Sequence, residues 1–267
     1  MPATDRATGT PPPEALAADV VLVVPCYNEA ARLPVREFER YLDAGSAEII
    51  FVDDGSTDGT SEVLGRLVSA HPARASMLRN PQNAGKGESV RRGTVEAMRR
   101  QPDVVGFWDA DLSTPLDAVA DLMDVLAARP DCQMAFGARV QLLGREIVRH
   151  AWRHYLGRVF ATAASVVLRL PIYDTQCGAK LFRVTPDTTA IFSEPFGSRW
   201  IFDVEIIARF IQAVGSVKAA GTQIIEVPLR TWRDVAGSKV RPRHFVTTAI
   251  DLVRIYARYG RGEAFRT

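Results

Sequence analysis

Cysteine is scarce. Three residues, Cys26, Cys132 and Cys177, are spread through 267. Spacing that wide builds neither a disulfide framework nor a metal knuckle. Reduced thiols in a cytoplasmic protein are the expectation. Long apolar runs are missing too. No window reaches the roughly 18 uncharged apolar residues of a membrane-spanning helix. Residues 1–18 are rich in proline and alanine and lack an apolar core. They read as a frayed tail, not as a signal peptide. No internal repeat and no low-complexity block appears, which excludes a solenoid or a largely disordered chain.

What remains is ordinary globular composition, 47% hydrophobic and 24% charged. That length suits one large α/β domain or two small ones. The net charge of +2 hides an asymmetry. Residues 1–138 carry 13 basic and 21 acidic side chains, a balance of −8, whereas residues 139–267 carry 20 and 10, a balance of +10. The basic half calls for an anionic partner: a phosphate, an acidic membrane surface or nucleic acid. Its arginines accompany apolar anchors and no nucleic-acid recognition motif appears, so nucleic acid is not expected.

Hydrophobic periodicity gives the organisation. The runs "DVVLVVP" (19–25), "AEIIFV" (47–52), "ASML" (75–78), "DVVGFW" (103–108) and "CQMAFGAR" (132–139) read as buried strands. Helical spacing separates them, with Leu33, Phe38, Tyr41 and Leu42 after the first strand and Val63, Leu64, Leu67 and Val68 after the second. Asp58 is a candidate N-cap for the latter, and Pro115 starts a helix after the fourth strand. Beyond residue 139 the pattern predicts helices over 145–169, 200–215 and 243–259, and a strand over 222–229. Arg145, Arg149 and Arg158 give the first of these a basic face beside Val159 and Phe160. The last mixes Ile250, Val253, Ile255 and Tyr256 with Arg254 and Arg258, as an interfacial helix would. Alternating strands and helices imply a mostly parallel sheet covered on both faces.

Ligands of such sheets bind beyond the carboxyl ends of the strands. The polar clusters fall there: "CYNE", "DDGS" and "DAD" follow the first, second and fourth strands. Asp109 and Asp111 are two hard carboxylates one residue apart. They suit Mg2+ or Mn2+, which also binds substrate phosphates, or else cap the next helix. Asp53 and Asp54 suit a base N–H or ribose hydroxyls, or else an Asx turn. "NAGKGES" (83–89) offers backbone N–H groups, a helix start and Lys86 to an anion, without Walker spacing.

Together "VVPCYNE", "FVDDGSTDGT", "NAGKG" and "DADLS" resemble, in order and spacing, the family 2 glycosyltransferases of the GT-A fold. "YDTQCGAKLF" (173–182), "RWIFDVEII" and "GSK" (237–239) are similar to the dolichyl-phosphate β-glucosyltransferase branch, and more distantly to the polyprenyl-phosphate mannosyltransferases. The resemblance covers roughly residues 19–260. It implies a 19–240 GT-A domain with a nucleotide-sugar half, 19–138, and an acceptor half, 139–240. A C-terminal amphipathic helix and tail occupy 241–267.

The resemblance also implies roles. Pro25, Tyr27 and Glu29 would border the nucleotide, and Asp54 would meet the pyrimidine ring. Asp109 would lie near ribose or metal, and Asp111 would be the principal ligand of Mg2+ or Mn2+. Ser113 stands where mannosyltransferase relatives often carry Gln. Lys239 resembles a lysine on a loop that closes over the donor diphosphate. Asp203 is the base candidate, or else holds Arg199 or the acceptor loop. Arg139, Arg145 and Arg149 would bind a lipid phosphate. The implied reaction moves a hexose with inversion, glucose from UDP-glucose first and mannose from GDP-mannose as the alternative donor. The acceptor would be a polyprenyl phosphate; a small phosphorylated or hydroxylated acceptor is the other reading. The branch carries an N-terminal membrane helix, whereas the first strand here begins near residue 19. Contact with the cytoplasmic membrane face would then be peripheral.

Overall fold

The computed structural model describes residues 19–45, 47–148, 151–235 and 243–266. In chain order the elements are β1 Val20–Cys26, α1 Val35–Ala44, β2 Glu48–Asp53, α2 Thr60–Ala70, β3 Ala75–Arg79, α3 Lys86–Met98, β4 Val104–Trp108, α4 Ala118–Ala128 and β5 Met134–Ala138. There follow β6 Glu146–Val148, α5 Ala151–Leu168, β7 Ala179–Arg183, α6 Pro186–Ile191, α7 Phe202–Val214, α8 Val217–Gln223, β8 Ile224–Pro228, β9 Thr231–Arg233 and α9 Arg243–Arg258. The main sheet runs β3-β2-β1-β4-β7-β5-β8, and β6 pairs with β9 in a small second sheet.

The five strands expected before residue 139 are all present, and β1, β2, β3 and β4 are parallel. Both faces of β1 are buried, which its unbroken apolar run requires. Val21 and Val23 pack with Val90, Phe202 and Phe210 on one side. Leu22 and Val24 pack with Phe38, Leu64 and Leu122 on the other. No helix is long and apolar enough to cross a membrane among the described residues.

Three local expectations change and one strand is added. Pro115 lies before α4, which starts at Ala118 behind Asp117. The helix expected from residue 145 starts at Ala151. Before it the backbone of 146–148 pairs with β9, Glu146 opposite Thr231 and Ile147 opposite Trp232. A strand cannot share those groups with a helix, so Arg145 sits exposed in the preceding turn. Asp58 is not the N-cap of α2, a position held by Gly59. Its Oδ1 accepts the Thr60 amide at 3.0 Å and its Oδ2 the Ala30 amide at 3.3 Å, tying two strand-exit turns together. Finally, "AKLFR" is a strand, β7, running antiparallel between β4 and β5. It carries the "DTQCG" turn to the strand ends where the acidic clusters lie.

Candidate active site

One edge of the candidate site is built from the exits of β1 and β2. Asn28, in a left-handed backbone at φ 52°, donates its amide to Ser56 Oγ at 3.0 Å and accepts the Thr57 amide at 2.9 Å. Glu29 is buried, donates its amide to Thr60 Oγ1 at 2.8 Å, and pairs with Arg32. Pro25 and Tyr27 are half-buried beside them. Both carboxylates of the Asp53/Asp54 pair are buried. Asp53 accepts the Ser56 amide and the Ser61 hydroxyl. Asp54 takes Asn80 Nδ2 at 2.7 Å, the Ala84 amide at 2.9 Å and the Gly85 amide at 2.8 Å. Asp54 thus anchors the "NAGKG" loop. That loop needs Gly85, whose φ is 95°, a region L side chains rarely adopt.

Lys86, first residue of α3, reaches Asp109 Oδ1 at 2.5 Å. Desolvation alone would lower its pKa, but Asp109, Asp203 and Asp111 outweigh it and raise the value. Asp111 Oδ1 accepts the Ser113 amide at 3.0 Å, and Leu112 between them holds a φ of 47°. Among the described residues no donor is paired with the second oxygen of either aspartate. No group of three His, Cys, Asp or Glu is gathered among them. Two hard carboxylates therefore offer part of a coordination sphere, the arrangement Mg2+ or Mn2+ completes with phosphate oxygens and water.

The turn from Asp174 to Gly178 forms the opposite wall. Gly178 O accepts the Asp109 amide at 2.9 Å. Asp174 holds Arg139 through two short bonds, Nε to Oδ2 at 2.6 Å and Nη2 to Oδ1 at 2.7 Å. Arg139 also lies over the Trp232 ring, 5.3 Å from its centroid. Burial pushes the Asp174 pKa up, but the guanidinium outweighs it and the value falls below the carboxylate norm. Glu226 on β8 accepts the amides of Tyr173 and Asp174 at 2.8 and 2.7 Å. Arg158 donates to Tyr173 O at 3.1 Å and stacks on the Tyr173 ring at 3.9 Å. Arg139, Arg158, Tyr173, Thr175 and Gln176 line one open pocket.

Asp203, in the first turn of α7, is buried. Its Oδ1 accepts Lys180 Nζ at 2.7 Å. Arg199, one of its expected partners, instead meets the carbonyl and side chain of Asn83 at 3.3 and 2.7 Å.

The structure thus gathers Lys86, Asp109, Asp111, Asp203 and Arg139 around one turn, with Glu29 and Asp54 at the adjoining edge. It does not bring Arg145 in. Arg149 and Lys239 lie outside the described residues. Sequence reasoning missed Asp174, Glu226 and Lys180. A lysine inside the apolar run "GAKLF" was the available signal, because a charge amid apolar neighbours needs buried partners.

Residues 21–189 match the family described as Glycosyl transferase family 2. A dolichyl-phosphate beta-glucosyltransferase of Dictyostelium discoideum is 32% identical over 252 residues, covering 89% of this chain and 74% of that protein. One from Trichomonas vaginalis is 30% identical over 246 residues, covering 87% and 69%. Among solved structures, the glucosyl-3-phosphoglycerate synthase of Mycobacterium tuberculosis in complex with Mn2+, uridine diphosphate and glucosyl-3-phosphoglycerate is similar with a TM-score of 0.63. Its identity is 21%, over 97% of this chain and 87% of that one, a likeness of fold. The match to the family starts in β1 and runs through both aspartates and the "DTQCG" turn into α6: the chain belongs to glycosyl transferase family 2.

Proposed function

We propose that this glycosyltransferase moves a hexose, glucose from UDP-glucose, onto a polyprenyl phosphate with inversion at the anomeric carbon. One observation carries the reading: the 174–178 turn bonds Asp109 at one end and Arg139 at the other. Donor carboxylates and a cation suited to an acceptor phosphate are therefore held in one register. The dolichyl-phosphate beta-glucosyltransferases among the relatives support the donor and acceptor classes.

Pro25, Tyr27, Glu29 and Asp54 border the nucleotide in this reading. Asp109 and Asp111 would hold Mg2+ or Mn2+ where the donor diphosphate binds. When bound, the cation offsets the negative charge that grows on the departing diphosphate. Lys86 places an ammonium at the same edge, where that charge develops. By sequence resemblance Lys239 adds a second, and Arg149 assists the acceptor. Arg139 keeps N–H donors beyond the two that Asp174 takes, and these orient the acceptor phosphate. A phosphate monoester, with its second pKa near about 6, arrives already ionised. Its oxygen attacks the face opposite the leaving diphosphate without needing a base. Asp203, with one oxygen held by Lys180, then serves position. A hydroxyl acceptor would instead require its other oxygen as base.

Exposed Val159 and Val166 on α5, with Ile250, Val253 and Tyr256 on the neighbouring α9, support peripheral contact with a lipid surface. The test is a panel of nucleotide sugars with Mg2+ or Mn2+, with and without a polyprenyl phosphate, reading nucleotide release. Release from UDP-glucose that depends on the lipid phosphate is expected. Release that depends on phosphoglycerate, with no response to the lipid, would replace this acceptor by the small soluble one.

A further inference from the structure

Lys180, the second residue of β7, is buried to 0% exposure. Phe107 and Phe136 flank its ammonium, each ring centroid 5.3 Å away. All three of its protons find oxygens: Thr175 O at 2.9 Å, Cys177 O at 2.6 Å and Asp203 Oδ1 at 2.7 Å. An ammonium removed from water is strongly disfavoured unless each proton is met, and here each is. These partners belong to two separate segments. Thr175 and Cys177 lie in the turn that bonds Arg139 through Asp174 and Asp109 through Gly178. Asp203 opens α7, next to Phe202, whose ring faces Lys86 at 5.9 Å.

We propose that Lys180 is a positioning residue, whose ammonium locks the Asp174–Gly178 turn to Asp203 and so sets the acceptor wall in register with Asp109. The donor edge is built without it, since Asp54 accepts the Ala84 and Gly85 amides of the "NAGKG" loop and Arg199 bonds Asn83. Its loss should therefore fall on the acceptor and spare the donor. That functional half rests on the placing of the acceptor beside Arg139; the structural half does not.

Lys180→Met keeps the stem and removes the charge. It leaves Asp203 buried without its partner, so Lys180→Met/Asp203→Asn is the companion variant, neutral at both positions. Hydrogen exchange is read at the amides of Gln176 and Asp109, which bond Asp174 Oδ1 at 3.2 Å and Gly178 O at 2.9 Å. The amides of Ala84 and Gly85, bonded to Asp54, are the reference. Expected in both variants is exchange at least about tenfold faster at the first pair, with the second pair unchanged. In folded Lys180→Met, the KM for whichever acceptor the wild type uses should rise at least about tenfold while the donor KM stays within about threefold. Wild-type protection at Gln176 and Asp109 in the double variant would overturn the proposal. So would a fall in kcat alone with the acceptor KM unmoved. A wild type that ignores polyprenyl phosphate would sink the function proposed above, yet the exchange result would still decide the role of Lys180.

Discussion

Replacing Gly178 by alanine tests whether the Asp174–Gly178 turn and Asp109 are held in register. A methyl group built there would lie far inside 3.0 Å of the Asp109 carboxyl carbon and both its oxygens. Ordinary contacts begin near about 3.5 Å, so turn or carboxylate must shift by roughly 1 Å or more. Overpacking of this kind costs about 1–3 kcal/mol. Displacement of a reacting group by about 1 Å lowers turnover on the order of a hundredfold. Asp109 would also leave Lys86, now 2.5 Å away. The assay is nucleotide release from the sugar nucleotide titrated with Mn2+, beside a thermal melt. Turnover should fall about a hundredfold with a Tm drop of roughly 2–12 °C, at 2–4 °C per kcal/mol, and the Mn2+ requirement should rise. Gly65→Ala is the control, because nothing lies within 4 Å of a methyl group there in the middle of α2. It should stabilise by about 0.5–1 kcal/mol without touching turnover. Full activity and unchanged Mn2+ dependence in Gly178→Ala would refute the register argument.

Asp111→Ala should fold as the wild type does and lose metal-dependent turnover; retained turnover under a Mn2+ titration would remove Asp111 from the metal site. Arg139→Met strands the buried Asp174 carboxylate and should cost about 3–5 kcal/mol in chemical denaturation at pH 7. Because Arg139 holds the folded-state pKa of Asp174 below its unfolded value, that stability is complete above about pH 4 and fades as pH falls through the lower folded value. Without Arg139 the buried carboxyl takes up its proton at higher pH, so the gap between variant and wild type should narrow from about pH 7 to pH 4; a constant gap would count against the ion pair. Burial pushes the Cys177 thiol up to about 11, and Cys26 and Cys132 are buried as well. Iodoacetamide at pH 8 should therefore label the three cysteines only after denaturation, as read by intact mass. Val253→Asp, on the exposed side of α9, should weaken flotation with anionic vesicles by about tenfold and leave the melt unchanged.

The parallel half of the fold was legible because its strands are unbroken apolar runs, with turn-forming residues at their ends. The acidic clusters could be placed on one edge for the same reason, since a parallel sheet points all its carboxyl ends one way. β7 is not legible in the sequence because "AKLFR" is short and its lysine interrupts the apolar pattern. Its strand character comes from β4 and β5 on either side, a tertiary effect. The three-residue β6 was absorbed into a helix for a similar reason: Ile147 and Val148 fit either period until β9 claims the backbone. Among candidate site residues, Asp109, Asp111 and Lys86 stand out in the sequence by type and position, and the structure brings them to one edge. Asp54 was found too, though what it visibly holds is its own loop. Asp174 looked like part of a motif without a task, because its partner Arg139 is 35 residues away.

The central claim is that the sugar ends on a phosphate. Phosphorus-31 and proton NMR of the product made from UDP-glucose and a polyprenyl phosphate test it directly. The phosphomonoester signal should become that of a phosphodiester, with a β-configured anomeric proton. A phosphomonoester left intact while a hydroxyl elsewhere carries the glucose, or an α-linked product, would contradict it.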